Sequence, residues 1–395
     1  MEKCHRNLVC LQVHNDYLIQ GGETKTAQLI GDVLEEYGLH IIRYYKSNNE
    51  IAQKGKLGKL IVGIKAIYNP DTVKEINAIL DAMHVDFALV HNTSPIISNS
   101  IYKILMERNI PVLKYLQNYN LMCLNGAIDH GECCKNCSEH LWIGVKQRCY
   151  KNSVAYSLIK YISKKEFDKK YRDKIAGFMP NSEFVRDRHV QYGLNINKMN
   201  VMYNYIEGHC VNDEKIIERQ RYLYFGRISK EKGVFTIIKA FQDMIDLQLD
   251  IMGSGELVEQ ITKYIREHGL KNVRYIGSRT GKELAEVIHE AKAVIVSSEW
   301  DEPLPRTIME SYLQGTPVVG TDRGGIPEMI NEGQTGYIYK SGDVRSLKCS
   351  ISRMESLSDD QYTYMRLSCL EEAKNKYTKE KYVQRFIECI GRHLK

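Results

Sequence analysis

Short apolar runs alternate with stretches of helical periodicity along the chain. Asn7 to Val13 predicts a strand, followed by a turn at Gly21-Gly22-Glu23-Thr24-Lys25-Thr26 and a helix whose apolar face is Ala27, Leu29, Ile30, Val33 and Leu34. The alternation continues with a strand over Leu60 to Tyr68, a helix from Pro70 to Met83, and strands over Phe87 to Val90 and Ile110 to Leu116. Ala176 to Pro180 predicts another strand, and Asn181-Ser182-Glu183 opens the next helix with a good N-cap. A polar, charged stretch from Gly208 to Arg219 interrupts the pattern, which then restarts. Strands are predicted at Tyr222 to Phe225, Leu249 to Met252, Asn272 to Ile276, Ala293 to Val296, Pro317 to Gly320 and Tyr337 to Tyr339, and an amphipathic helix closes the chain over Lys379 to His393. Runs that are apolar throughout, separated by helices, predict parallel sheets buried on both faces. The fold class is therefore α/β, with one domain over 1–207 and a second over 208–378.

The 395 residues suffice for two ordinary domains, each with its own core. With 43% hydrophobic and 26% charged residues, and no low-complexity tract, the composition is that of a globular protein. No apolar run approaches the roughly 18 residues of a membrane helix. The run Leu8 to Val13 is broken by Gln12 and ends at His14-Asn15-Asp16, unlike a secretory signal, so a cytoplasmic protein is expected. Net charge is +6 but uneven, about +7 over 1–206 and −1 over the rest. A basic first half points to an anionic partner there, a lipid surface or a phosphate-bearing acceptor, or else to ordinary surface charge. Ser153 to Lys174 concentrates that charge, with seven lysines and arginines against Glu166, Asp168 and Asp173. The segment reads either as a solvated helix or as one lying on an anionic leaflet. Nucleic acid is not an expected partner.

The densest chemistry lies in Ser297-Ser298-Glu299-Trp300-Asp301-Glu302-Pro303-Leu304-Pro305-Arg306-Thr307-Ile308-Met309-Glu310. It leaves a buried strand, breaks at two prolines and enters a helix, roughly Arg306 to Gln314, stopped by Gly315. Glu302 falls on the loop and Glu310 about one turn into the helix. The edge of an open α/β sheet is where such folds bind ligands, and the amides of the helix N-terminus, near Leu304, form an anion site. Carboxylates accept hydrogen bonds from vicinal sugar hydroxyls. A second cluster, Gly226-Arg227-Ile228-Ser229-Lys230-Glu231-Lys232-Gly233, follows the strand at Tyr222 to Phe225. Ser229 is a plausible N-cap that would place Lys232 in the first turn of the helix. Arg227 and Lys232 there suit a diphosphate, Arg as a bidentate donor and Lys as a point charge. No Asp-x-Asp metal motif is present. Cys123, Cys134, Cys137 and Cys149 crowd one segment, with Cys134 and Cys137 at zinc-knuckle spacing, so the segment reads as a structural zinc site or as a loop of thiols. With no secretory signal, the cysteines are expected reduced, the scattered ones packed as small apolar residues.

The pair Glu302 and Glu310, followed by Gly315-Thr316-Pro317-Val318-Val319 and Gly324-Gly325-Ile326-Pro327-Glu328, resembles the donor site of retaining glycosyltransferases of family 4, with the GT-B fold. The resemblance spans nearly the whole chain and is strongest to members that build polysaccharides. It implies two Rossmann-like domains facing a cleft, with the last helix, 379–395, crossing back to the first domain. It implies that Gly21 and Gly22 reach the donor diphosphate, that Arg227 and Lys232 hold it, and that Gly253 neighbours the nucleoside. Glu302 would bind the donor sugar and Glu310 the ribose. His91 and Gln117 would stand near the reacting centre, where His91 is otherwise a structural hydrogen-bonder. Relatives carry a His where this chain has Gln117, and Gln cannot take up a proton near neutral pH. Tyr203 likewise stands where relatives have Pro. Relatives share a cysteine pair and a Cys-Tyr like Cys149-Tyr150, in keeping with zinc.

The resemblance thus implies transfer of a sugar, with retention, from a nucleotide-diphosphate sugar to a glycan or lipid-linked acceptor in surface polysaccharide synthesis. UDP is favoured over GDP, and no cofactor is required for catalysis. If the basic stretch Ser153 to Lys174 lies on an anionic leaflet, peripheral contact with the inner face of the plasma membrane is expected. The alternatives are a catalytically weak or inactive relative that binds glycans or nucleotides, at which Gln117 hints, and a phosphorylase or epimerase of the same fold.

Overall fold

The computed structural model describes residues 8–16, 22–48, 63, 65–127, 137, 140–208 and 219–394. The chain forms two compact units, Met1–Asn204 with Tyr382–Lys395, and Tyr205–Lys381.

The first unit is built on five strands, β1 (Val9–Asp16), β2 (His40–Ser47), β3 (Phe87–Val90), β4 (Val112–Leu116) and β5 (Gly177–Pro180), in the order β2-β1-β3-β4-β5. All pairings are parallel, with Cys10 opposite both Ile41 and Phe87. Strands β3, β4 and β5 are buried at every position, which is why they read as apolar runs, broken in β4 by Lys114. Strand β2 escapes the apolar-run criterion. It is an edge strand with one neighbour, and its residues, His-Ile-Ile-Arg-Tyr-Tyr-Lys-Ser, are mostly half-buried. The strand expected over Leu60 to Tyr68 is not found where it can be seen: residues 63 and 65 are helical and 66–67 form a turn, and the remainder up to 64 lies outside the described residues.

Helices connect these strands: α1 (Gly22–Glu36), α2 (Pro70–Ala82), α3 (Ser100–Glu107), α4 (Trp142–Lys146), α5 (Val154–Lys170) and α6 (Glu183–Gln191). Their starts follow capping chemistry. Asn69 accepts from the Asp71 amide with Pro70 at the first helical position, and Ser182 accepts from the Val185 amide. The final helix (Lys379–His393) has the range read from the sequence, and its residues from Tyr382 onward belong to the first unit. Tyr382, Val383, Phe386, Cys389 and Ile390 form its buried stripe, and the Phe386 ring lies 6.2 Å from that of Phe87. Asn200 donates to His393 at 2.6 Å and accepts from Arg392 at 3.2 Å, and the Arg385 guanidinium sits 5.2 Å over the Tyr203 ring.

The second unit carries six strands, β6 (Arg221–Arg227), β7 (Gln248–Ser254), β8 (Val273–Tyr275), β9 (Ala291–Val296), β10 (Val318–Thr321) and β11 (Gly336–Tyr339), in the order β11-β10-β9-β6-β7-β8, again parallel throughout. Its helices are α7 (Val234–Asp243), α8 (Val258–Glu267), α9 (Gly281–Glu290), α10 (Arg306–Leu313), α11 (Val344–Glu355) and α12 (Asp359–Lys376); the final helix is α13. Tyr222, Ile237, Phe241, Leu249, Ile251, Val319 and Leu347 are among the residues of one core under this sheet. Chain order reverses between β6 and β9, so their carboxyl ends flank the crevice in which open sheets of this type hold ligands. In the first unit the same reversal lies between β1 and β3.

Candidate functional site

The loops after β6 and β9 meet at the carboxyl edge of the second sheet. Glu299 donates its amide to the Glu231 carbonyl at 2.8 Å, and the Ser297 hydroxyl donates to the Lys232 carbonyl at 2.6 Å. These bonds deliver Lys232 to Glu302: the ammonium donates to Oε1 at 2.6 Å. The Ser298 hydroxyl donates to the same oxygen. Glu302 is 7% exposed, so its charge is held by this pair of donors rather than by bulk water. The Trp300 ring centroid lies 5.9 Å from the Lys232 ammonium.

The loop after β10 fixes Glu302 from the other side. Gly325 donates its amide to the Glu302 carbonyl at 2.7 Å. Gly324 has φ +58°, and a Cβ there would land on the Glu302 backbone and 2.7 Å from the Asp301 carbonyl carbon. Only glycine permits that approach. Thr321 and Ser341 donate to the Ser298 carbonyl at 2.9 and 3.1 Å, so three segments converge on the Ser298–Glu302 turn.

Helix α10 begins immediately beyond, with Pro305 at its N-cap and Leu304 buried before it. The first amides of α10 lack helical carbonyl partners by construction and favour an anion. Glu310 is half-buried on this helix, 3.8 Å from Arg306 one turn earlier. Arg227 stands exposed at the end of β6, its carbonyl accepting from Tyr224 at 2.5 Å. Gly253, at the end of β7, has φ +143°, and a Cβ would land on the Gly226 carbonyl oxygen, so these two strand ends abut backbone to backbone.

The structure corrects one local expectation. Ser229 does not cap an α-helix, and its hydroxyl is buried without a hydrogen-bond partner among the described residues. Lys230–Lys232 is a 3₁₀ turn, and α7 starts after Gly233, whose φ is +63°. Lys232 therefore lies just before the α-helix and not in its first turn.

In the first unit, His91 follows β3 and is 1% exposed. Its Nε2 lies 3.1 Å from the Gln12 amide nitrogen, and its ring stacks on Tyr115 at 5.1 Å. Burial holds its pKa well below 6.5, so the ring is neutral. Gln117 follows β4 and buries its Nε2 without a hydrogen-bond partner among the described residues. Glu23, next to Gly22 at the start of α1, accepts from Asn118 at 2.8 Å. Gly21 and Cys134 lie outside the described residues, so the diphosphate role of the Gly21-Gly22 turn and the four-cysteine zinc set are not assembled here. Cys123, Cys137 and Cys149 are each half-buried thiols. Of the scattered cysteines, Cys10, Cys369 and Cys389 are buried as expected, whereas Cys349 is exposed on α11.

The charge concentrated over 153–174 is only partly on the surface. Lys160 and Lys164 of α5 turn inward, and with Lys114 of β4 they line a pocket at the carboxyl edge of the first sheet. Lys114 interrupts the apolar strand Val-Leu-Lys-Tyr-Leu, a signal available in the sequence. The inward turn of α5 has no comparable signal, because its lysines repeat on several faces.

Residues 212–376 match the family model for glycosyl transferases group 1. Curated relatives include spore coat protein SA of Bacillus subtilis (strain 168), 32% identical over 128 residues, which are 29% of this chain and 34% of that protein. An uncharacterized 41.2 kDa protein in the cps region of Klebsiella pneumoniae is 26% identical over 222 residues, 53% of this chain and 59% of that one. The amylovoran biosynthesis glycosyltransferase AmsK of Erwinia amylovora is 25% identical over 189 residues, 45% and 46% of the two chains. The matched stretches thus span from about a third to three-fifths of the length of these relatives. Two solved structures align over nearly the whole chain. Anabaena Alr3699/HepE in complex with UDP and glucose has TM-score 0.67 and 16% identity, covering 97% of this chain and 99% of its own. A glycosyltransferase from Rickettsia africae ESF-5 has TM-score 0.71 and 16% identity, covering 98% of each. The fold is GT-B, with two Rossmann-like units.

Proposed function

We propose that this chain is a retaining glycosyltransferase of family 4 that moves a sugar from a nucleotide-diphosphate donor, UDP in preference, to a glycan or lipid-linked acceptor in surface polysaccharide assembly. The observation that carries the reading is the Lys232–Glu302 pair at the β6/β9 reversal, directly before the N-terminus of α10. Departure of a nucleoside diphosphate develops negative charge, and fixed donors that meet that charge lower the barrier. Lys232, Arg227 and the amides near Leu304 are the donors on this unit. Glu302, held rigid by Ser298, Lys232 and the Gly324-Gly325 turn, accepts from sugar hydroxyls, and Glu310 accepts from the ribose. Gly253 leaves room for the nucleoside at the end of β7. No nucleophile is assigned. The leaving oxygen takes the acceptor's proton on the same face, which gives retention. The match to glycosyl transferases group 1 over 212–376, the UDP-bound relative and the polysaccharide setting of AmsK support this reading.

Gln117 favours one second reading, a catalytically slow or inactive relative, because its amide cannot exchange a proton near neutral pH. Neither reading requires a cofactor for catalysis. The zinc set of Cys123, Cys134, Cys137 and Cys149 would be structural, and a peripheral contact with an anionic membrane would bring the enzyme to a lipid-linked acceptor. Among the described residues no helix is long and apolar enough to cross a membrane.

The test is thermal stabilisation by UDP, GDP and ADP, followed by donor hydrolysis. A nucleotide at about 100 times its Kd adds roughly 2.7 kcal/mol. Glu310→Ala and Lys232→Ala should abolish the shift for the right nucleotide. A shift unchanged in both variants refutes the site. A shift without donor hydrolysis selects the inactive reading, and an anomeric proton of inverted configuration in the product removes retention.

A further inference from the structure

A pocket of the first unit buries several charged side chains together. Its walls hold three ammonium groups, Lys114, Lys160 and Lys164, and one carboxylate, Glu23. Among the described residues Lys114 and Lys160 donate to neutral acceptors, and Lys164 has one carboxylate at 3.7 Å. Lys114, 6% exposed, donates to the His91 carbonyl, a neutral acceptor. Lys160 donates to the Ser94 hydroxyl at 2.6 Å, also neutral, and faces the Tyr150 ring at 4.9 Å. Lys164, 7% exposed, makes no hydrogen bond among the described residues. Its ammonium lies 4.1 Å over the Tyr192 ring and 3.7 Å from Asp168. That carboxylate already accepts from the Tyr192 hydroxyl at 2.9 Å.

Burying an ammonium without a matched anion is unfavourable, and natural chains rarely bury lysine unless it is paired. Burial lowers all three lysines, each to about 8, which still leaves them mainly protonated at neutral pH. Among the described residues the three cations face Glu23 in the lining and Asp168 beside Lys164, which leaves an excess of one positive charge and suits an anion. A carboxylate ligand offers two oxygens, whereas a phosphate or diphosphate group offers enough for three separate donors. The pocket opens beside His91-Asn92 and Asn118, at the carboxyl ends of β3 and β4, where sheets of this class bind ligands.

We propose that this pocket binds a phosphate-bearing group through Lys114, Lys160 and Lys164, and that the acceptor of the transfer reaction is therefore a phosphorylated molecule. The second clause rests on the function proposed above; the first does not. A lipid-linked phosphate and a free sugar phosphate present the same chemistry to the three ammonium groups.

The experiment is calorimetric titration of inorganic pyrophosphate into the full chain saturated with UDP, which occupies the diphosphate site of the second unit. One equivalent of pyrophosphate should still bind. Lys164→Gln should weaken it roughly tenfold or more, the scale of losing one charge-assisted bond, and Lys160→Met with Lys164→Met should remove it. UDP stabilisation, read on the same samples, should be unchanged and reports that the variants are folded. If the double variant does not fold, Lys164→Gln and the half-buried Lys160→Gln decide the matter separately. Absence of pyrophosphate binding to the UDP-saturated wild type overturns the proposal, as does binding that none of the variants weakens. If UDP produces no stabilisation but pyrophosphate binds and the lysine variants lose it, the nucleotide reading fails and the phosphate pocket stands. Titration with short-chain phosphatidate and with glucose 1-phosphate then separates the two sources: the tighter ligand names the class of acceptor.

Discussion

Replacing Lys232 by Met isolates the interaction on which the donor site depends. The side chain keeps most of its apolar length and loses only the ammonium. Glu302 then retains the Ser298 hydroxyl on Oε1 and loses its positive partner, with a side chain only 9% exposed. Removing one member of a fully buried ion pair costs about 3–5 kcal/mol. Lys232 is a quarter exposed, so water takes over part of its role, and the expected loss falls to about 1–3 kcal/mol. Glu302→Gln should be milder, about 0.5–1 kcal/mol, because the stranded ammonium can turn to solvent. The double variant should lose less than the sum of the two, by about 1 kcal/mol. Urea unfolding read by tryptophan fluorescence measures all four proteins. The chain has two tryptophans, and in a Trp142→Phe background Trp300 reports from the site itself. A Lys232→Met protein within about 0.5 kcal/mol of its parent, or strict additivity in the cycle, would show that the pair does not hold Glu302 in place.

Other outcomes follow from the same coordinates. Gly324→Ala combines a left-handed backbone with a Cβ driven into the Glu302 backbone, so it should lower the stability of the second unit by about 2–4 kcal/mol and impair UDP binding; a variant as stable as wild type in urea contradicts the geometry. Asp250 sits between Arg221 and Arg274 on neighbouring strands. Burial alone would raise its pKa, but hydrogen bonds from Arg274 and Arg221 outweigh this and hold it below 3.8. Its contribution should be complete above pH 3.8 and disappear as pH falls through the lowered value, and Asp250→Asn should flatten that part of the acid-unfolding curve. His189 is buried, donates from Nδ1 to the Val185 carbonyl at 2.8 Å, and is lowered by burial to about 4. The unfolded chain takes up that proton below about 6.5, so stability should fall between pH 6.5 and 4 by up to a few kcal/mol, and a His189→Phe protein should show a shallower decline. Brief maleimide labelling, mapped by peptide mass, should modify Cys349 and spare Cys10, Cys369 and Cys389 until the chain unfolds; early labelling of Cys10 would contradict the packing of β1.

Much of this protein is local and therefore readable in one dimension. Strands buried on both faces, such as Phe87–Val90 and residues 293–296 of β9, need apolar residues at every position and announce themselves. Helix starts at Asn69 and Ser182 are written in side chains that satisfy the next amides. The amphipathic stripe of the last helix follows from its period, and the spacing of Glu302 and Glu310 around two prolines marks the candidate donor site. What tertiary structure decided is whatever depends on a neighbour distant in sequence. Strand β2 exists because β1 offers it an edge, not because its own residues are apolar. Lys232 meets Glu302 across 70 positions only because β6 and β9 lie side by side. The lysines of α5 look alike in the sequence. Which of them face water and which face the pocket with Lys114 is set by how that helix packs, since a charge carries no label for the side on which its counter-charge will be found.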